Sequence, residues 1–339
     1  MADTRSAELQ AAEQARLIHD QYDTRKRLVH SYGGLDVYRL AEDLDLPVRF
    51  TKLKGLLGFY MNEPIPGIGV TTERPPAVQR FTCAHELGHH SLGHETVLDV
   101  EANIAFGRGA PAANDIKEYQ ANVFASHLLM PKWLLHDRAK DLLKAGLRIP
   151  DPLAVYQLAL RLGTSYQATV NTLFWRNLIT RTHRANLFAI QPKEIKQNIL
   201  IDVALAGDWH RDVWLLTPHD DGGEVQARSA DLIVMRVPEL AASGYVNDFR
   251  VSDSAKVLLT RTEAPSGAAE HIGGALEYTA IANLELAGKS AMTVRQRRPW
   301  EPAENASVAM SLNVDVAAKI AGGMSHDARV ARMKEASAL

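Results

Sequence analysis

The stretch Phe81-Thr82-Cys83-Ala84-His85-Glu86-Leu87-Gly88-His89-His90 decides how this chain is read. It contains His-Glu-x-x-His. On a helix, positions i and i+4 stand on one face a turn apart, so the imidazoles of His85 and His89 can reach one metal ion. Glu86 projects beside them, placed to handle the proton of a metal-bound water. Zinc is the natural ion for two histidines and a carboxylate, with a water in the fourth position. It lowers the pKa of that water from about 15.7 toward about 7. Histidine and carboxylate also accept manganese. The alternative is a surface helix with solvated histidines. The apolar neighbours Phe81, Ala84, Leu87 and Leu92 argue instead for a buried helix, and buried polar side chains need a partner.

A third ligand should come from another helix. The best candidate is Glu118, in Glu118-Tyr-Gln-Ala-Asn122-Val-Phe124-Ala-Ser-His127-Leu-Leu-Met-Pro131. Its competing role is a first-turn carboxylate that serves the helix dipole. Glu118 and Asn122 are i, i+4, so Asn122 can hold a ligand histidine by the far side of its ring. Ile116, Val123, Phe124 and Leu128 bury this helix, and Pro131 follows its end. His90 and His94 read as supporting or solvated residues, and His127 as a core histidine. Cys83 lies off the ligand face and reads as packing.

Outward from these segments, composition narrows the class. At about 150 residues per domain, 339 residues allow two or three domains. Apolar residues at 46% and charged residues at 23% are ordinary globular values and exclude a disordered or collagen-like chain. Lys and Arg number 38 against 40 Asp and Glu, a net charge of −2, so no overall basic field exists to hold nucleic acid. The single cysteine excludes an intrachain disulfide and a four-cysteine metal site, and fits a reducing compartment. No uncharged apolar run reaches about 18 residues. The polar opening Met1-Ala-Asp-Thr-Arg5 and its continuation do not read as a secretory signal. The expectation is a cytoplasmic protein with no membrane partner.

Residues 1–145 read mostly helical. Ile18, Tyr22, Val29 and Tyr32 recur at helical spacing before Gly33-Gly34, and Val37, Leu40, Ala41 and Leu44 form one apolar face. Strands are expected at Val48–Phe50, Leu56–Met61 and Ile68–Thr71, and Pro75-Pro76 can start the next helix. Residues 151–180 read as two helices around a tight turn, with Gly163 closing the first and Ser165 capping the second. Later come short β-branched runs at Asp231–Val237, Ala255–Thr262, Leu276–Ala282, Ala291–Arg297 and Ser307–Val314, the pattern of a β-sandwich. The fold class expected is multidomain α+β. A helical zincin-like domain with a small sheet and a helix-turn-helix-like region precedes an all-β immunoglobulin-like sandwich. The divisions expected are a metallopeptidase domain at 1–145, the helix-turn-helix-like region at 146–190, and a linker and edge strand at 191–224. The sandwich takes 225–316 and a tail 317–339.

The two quoted segments together closely resemble the ImmA/IrrE family of metallopeptidases, over roughly residues 10–185. The resemblance implies His85, His89 and Glu118 as metal ligands and Glu86 as catalytic base. It also implies a compact helical peptidase domain with a small sheet, and substrates among helix-turn-helix repressors, whose cleavage relieves repression under stress or in mobile elements. Glu118-x-x-x-Asn122 also looks like the Glu-x-x-x-Asp of gluzincin peptidases, with Asn for Asp.

A second resemblance lies at 225–316. Leu240-Ala-Ala-Ser-Gly244-Tyr245, Gly273-Gly274-Ala-Leu-Glu-Tyr278 and Arg298-Pro299-Trp300-Glu301 look like the three loop motifs of the chagasin family of cysteine-peptidase inhibitors. The resemblance implies an immunoglobulin-like sandwich whose loops meet a protein partner. Gly244, Tyr245, Gly273, Gly274, Arg298, Pro299 and Trp300 are the candidate recognition residues. The first loop departs from the family's Asn-Pro-Thr-Thr-Gly-Tyr, and the second keeps only its last two glycines.

The function expected is zinc-dependent endoproteolysis, site-specific on a helix-turn-helix transcriptional repressor, with the sandwich in recognition or regulation. One alternative is a chagasin-like inhibitor of cysteine peptidases. Another is a DNA-binding stress regulator. Against direct DNA binding, the second helix of the two-helix unit carries one basic residue, Arg176, and Arg181, His183 and Arg184 add only a small patch.

Overall fold

Pro76 opens the helix that carries the metal motif, at the position where proline's missing N–H costs nothing. In the computed structural model this helix, α4 (Pro76–Ser91), is buried along most of its length. The structure describes residues 2–28, 31–63, 65–95, 97–100, 116–200, 209–252, 255–264 and 276–317. Before α4 come α1 (Ala2–Gln21), α2 (Thr24–Arg27), β1 (Ser31–Tyr32), α3 (Val37–Asp43), β2 (Val48–Thr51), β3 (Leu56–Met61) and β4 (Gly67–Thr71). After it come β5 (Val97–Val100), α5 (Ile116–Leu129), α6 (Lys132–Lys144), α7 (Pro152–Leu162), α8 (Tyr166–Trp175), α9 (Arg181–Ala189) and α10 (Pro192–Ile199).

The sheet β2-β4-β3-β5 lies against α4, with β2 and β4 parallel and the other pairs antiparallel. Across α4 lies α5, and α5 packs in turn on α1. Phe81, Cys83, Ala84, Leu87, Phe124, Ala125 and Leu128 are buried between these layers. Cys83 is therefore packing, as the sequence reads. Asp151 accepts hydrogen bonds from the N–H groups of Leu153 and Ala154 to start α7, and Gly163 ends it in a left-handed conformation. Ser165 caps α8 by accepting from Ala168 N.

The remaining strands are β6 (Val213–Leu216), β7 (Glu224–Arg228), β8 (Leu232–Glu239), β9 (Val246–Val251), β10 (Ala255–Glu263), β11 (Leu276–Leu284), β12 (Gly288–Arg297) and β13 (Ser307–Ala317). They form two sheets, β1-β7-β13-β12-β9 and β10-β11-β8-β6, which enclose a core of Trp214, Ile233, Met235, Ala280, Met292, Val294 and Leu312. The second sheet is buried on its other face as well. Val213, Leu215, Leu232, Val234 and Ile281 join the core of the helices. That double burial is why Leu232-Ile-Val-Met235 is an unbroken apolar run instead of an alternating one.

Helix α7 covers the open edge of β6. Gln157 Nε2 donates to Val213 O at 2.9 Å, and Leu215 N donates to Gln157 Oε1 at 2.9 Å, so one amide side chain stands in for a neighbouring strand. Val213 N donates to the Tyr156 hydroxyl, and Arg161 Nη2 donates to Leu215 O.

Three local expectations are corrected. Tyr32 is not on the helix of Ile18 and Tyr22, because α1 ends at Gln21 and Tyr32 pairs with Val225 in the sandwich. The guanidiniums of Arg138 and Arg161 lie over its ring, at 4.9 and 5.3 Å. The stretch expected as a linker begins with α10, where Pro192 and a Gln191–Glu194 capping box start a helix that buries Ile195 and Ile199. The sequence patterns do not mark out strands β1, β5, β7 and β9. All but the first residue of the expected tail 317–339 and the loop holding Gly273 and Gly274 lie outside the described residues, as does Val29. Among the described residues, no helix is long and apolar enough to cross a membrane.

Candidate metal centre

One turn of α4 separates His85 from His89, and α5 brings Glu118 across to both. Nε2 of His85 and Nε2 of His89 are 3.0 Å apart. Each lies 3.3 Å from an oxygen of Glu118. His85 and His89 are 0% exposed and Glu118 is 8% exposed. Two imidazole nitrogens and a carboxylate oxygen thus converge on one point, and among the described residues this is the one cluster able to hold a metal ion. Bonds of about 2.05 Å to a tetrahedral ion place its ligand atoms about 3.3 Å apart. The observed separations of 3.0 and 3.3 Å match that edge. The donor set therefore fits zinc, while the same atoms also accept manganese.

The far side of each ring is held. His85 Nδ1 meets Asn122 Oδ1 at 3.1 Å; the amide oxygen accepts, so the proton sits on Nδ1 and Nε2 is left for the ion. His89 Nδ1 meets His94 Nδ1 at 2.9 Å, and His94 Nε2 meets Gln120 Oε1 at 3.2 Å. Burial pushes the pKa of His94 down. His90 points elsewhere, toward the Tyr60 hydroxyl at 3.1 Å, and burial lowers its pKa too. His127 is not in the cluster. Burial, with Arg176 and Lys132 nearby, brings its pKa to about 4, and its carbonyl faces the His19 ring.

Glu86 is 0% exposed and lies beneath β3. A Cβ built on Gly58 would stand 2.6 Å from Glu86 Oε1 and 2.4 Å from Thr82 Cγ2. The strand can approach the carboxylate because residue 58 has no side chain. The sequence reading missed Gly58; only its place inside an apolar strand run marks it. It also missed Gln120, whose neighbours in sequence give no hint of its partner.

At one end of the sandwich, the Arg298 guanidinium lies 4.8 Å over the Tyr245 ring and bonds Glu301 at 3.2 Å. Trp300 is 71% exposed, so it is not a core aromatic. A Cβ on Gly244 would meet its ring at 2.3 Å. Gly244, Tyr245, Arg298, Pro299 and Trp300 thus form one surface.

Residues 41–174 match the model of a peptidase family described as the IrrE N-terminal-like domain. The uncharacterized immunity region protein 2 of Bacillus phage phi105 is 30% identical over 113 residues, covering 32% of this chain and 68% of that protein. Among solved structures, a cysteine protease inhibitor from Entamoeba histolytica is similar at 16% identity and a TM-score of 0.28, covering 32% of this chain and 97% of that one. Amebosin is similar at 17% identity and a TM-score of 0.27, covering 31% and 97%. The chain belongs to the IrrE/ImmA-like metallopeptidase family.

Proposed function

We propose that this chain is a zinc-dependent endopeptidase that cuts a helix-turn-helix transcriptional repressor in the cytoplasm, relieving repression under stress. His85, His89 and Glu118 hold the ion, Glu86 is the catalytic base, and Asn122 orients His85. The observation that carries this reading is the convergence of three buried ligand atoms beside a buried glutamate. When bound, the ion supplies Lewis acidity toward the attacking water and the scissile carbonyl.

The protein's own groups do the rest. Glu86 takes the proton of the attacking water on a carboxylate oxygen and delivers it to the leaving amide nitrogen, so that one water is consumed per peptide bond. Burial beneath β3 keeps that carboxylate away from bulk water. Family membership and a relative from a phage immunity region support a repressor substrate.

The division of labour proposed assigns the chemistry to 1–145 and packing to the helix-turn-helix-like region 146–190. Residues 191–224, which carry α10 and β6, join the helices to the sandwich, and the sandwich at 225–316 serves recognition or regulation. The exposed Trp300, backed by Gly244 and flanked by Arg298 on Tyr245, supports a protein partner at that end.

The test is incubation of the full chain plus Zn2+ with candidate repressors, read by mass spectrometry. Cleavage at one site is expected, abolished by chelation. Glu86→Gln is expected to keep its metal and lose about 10²–10⁴-fold in turnover. Retained turnover, or lost metal, would overturn the assignment of Glu86.

A further inference from the structure

The end of α4 is closed by a turn that folds the chain back on its own metal ligand. His94 N donates to His89 O at 2.9 Å and Gly93 N donates to His90 O at 3.1 Å, the paired bonds of a Schellman cap. Gly93 takes φ +70°, the left-handed conformation that this cap requires and that glycine adopts at no steric cost. The result is that residue 94 returns beside residue 89. The two imidazole rings lie 5.0 Å apart with Nδ1 facing Nδ1 at 2.9 Å.

Two facing imidazole nitrogens are ambiguous by themselves, because either can donate. The next bonds outward remove the ambiguity. Gln120 Nε2 donates to Gln10 Oε1 at 2.9 Å, which turns the amide oxygen of Gln120 toward His94. An amide oxygen only accepts, so the His94 proton sits on Nε2. His94 Nδ1 is then the acceptor, and the His89 proton sits on Nδ1. Nε2 of His89 is left as a lone pair directed at Nε2 of His85 and at Glu118. The series runs from α1 through α5 to the cap of α4 and ends at the metal point. Gln10 lies outside residues 41–174, the part of the chain that matches the family model.

We propose that His94, set by Gln120 and by the Gly93 turn, is a positioning residue that fixes the tautomer and ring orientation of His89 for metal binding. The proposal rests on the metal centre described above. It gives the two ligand histidines different supports: an amide oxygen of α5 for His85, and for His89 a second imidazole carried by the same helix end. His94 is 7% exposed and Gln120 8%, so bulk water does not replace either support. Losing a group that orients a ligand typically costs about 10–100-fold in metal affinity.

The experiment is Zn2+ binding by the full chain, titrated against a chelator of known affinity, for the wild type, His94→Phe and His94→Asn. Phenylalanine keeps the ring and removes the acceptor. Asparagine places an amide oxygen where Nδ1 of His94 stood. The expected result is an affinity loss of about 10–100-fold for His94→Phe, with most of it recovered in His94→Asn. Thermal unfolding of the metal-free variants is run alongside, because a role in packing alone would follow the order of their stabilities. The second readout is long-range 1H–15N correlation on the metal-free, histidine-labelled wild type. Here His94 is expected protonated at Nε2 and His89 at Nδ1. Unchanged affinity in His94→Phe, equal losses in both variants, or a His94 protonated at Nδ1 would overturn the proposal. A wild type that binds no Zn2+ would instead overturn the metal centre itself, and this positioning role with it.

Discussion

The Arg161 guanidinium on α7 meets the Asp220 carboxylate of the turn after β6 at 3.0 Å, with 1% and 3% of these residues exposed. Arg161 also donates to Gln157 Oε1 and Leu215 O, so the pair sits inside the seam between helices and sandwich. Asp220 accepts from Thr217 N as well. Asp220→Ala removes the carboxylate that faces the buried Arg161 guanidinium and leaves it only neutral partners in Gln157, Leu215 and Tyr32, which is expected to cost about 3–5 kcal/mol. Urea unfolding of the full chain measures this, and a midpoint close to the wild type would contradict it. For the same reason, a chain ending at Ala185 is expected to unfold at a lower temperature than the full protein. It retains Tyr156, Gln157 and Arg161 but loses every partner these residues have on β6.

Glu118 is the proposed ligand that comes from a second helix. Glu118→Ala is expected to weaken Zn2+ binding by at least about 10–100-fold, because losing a ligand costs no less than losing a group that supports one. The comparison is Glu95→Ala, an exposed glutamate just beyond the cap of α4. Competition with a chelator reads both. If Glu95→Ala binds more weakly than Glu118→Ala, the third ligand is misassigned.

Gly58 sets how close β3 can lie to the proposed base. Gly58→Ala puts a methyl group 2.6 Å from Glu86 Oε1, so strand or carboxylate must move. The expected outcome is a lower kcat with metal affinity held within a few-fold. Gly69→Ala serves as the control, since its methyl meets the Phe59 ring instead. Equal effects of the two variants on kcat would mean that general damage to the sheet explains both.

A buried acid predicts a pH trend in stability. Burial, with Asp212 alongside, pushes the Asp231 carboxyl up to about 7, although it accepts from the N–H groups of Asp212 and Arg228. Arg228, Lys196 and Tyr156 stand around this pair of acids. The folded state therefore holds a proton that the unfolded chain releases near its ordinary value of 3.8. That contribution is present below the unfolded value, is lost as pH rises toward about 7, and is flat above. Asp231→Asn should lack this decline. Chemical denaturation from pH 5 to 8 is the measurement: the stability of Asp231→Asn relative to wild type is expected to rise with pH, and a falling difference would reverse the sign argued here.

The candidate metal point was legible because local chemistry repeats in local geometry. His85 and His89 share a helix face by arithmetic, and Glu118 and Asn122 share another. The caps at Asp151, Gly163 and Ser165 lie within a few residues of what they cap, and short β-branched runs announced most strands of the sandwich. What the sequence alone determined was this set of short-range facts. Only the tertiary structure decided which distant groups meet. Gln157 replaces a strand beside β6 from 56 and 58 residues away, Arg161 finds Asp220 across 59, and Arg80 reaches Gly163 across 83. Tyr32 leaves the helical region to pair with Val225. Such pairings depend on how layers stack, and side chains buried at a seam carry no periodicity of their own. A glycine inside a strand and a glutamine behind a histidine look like any others until the chain folds around them.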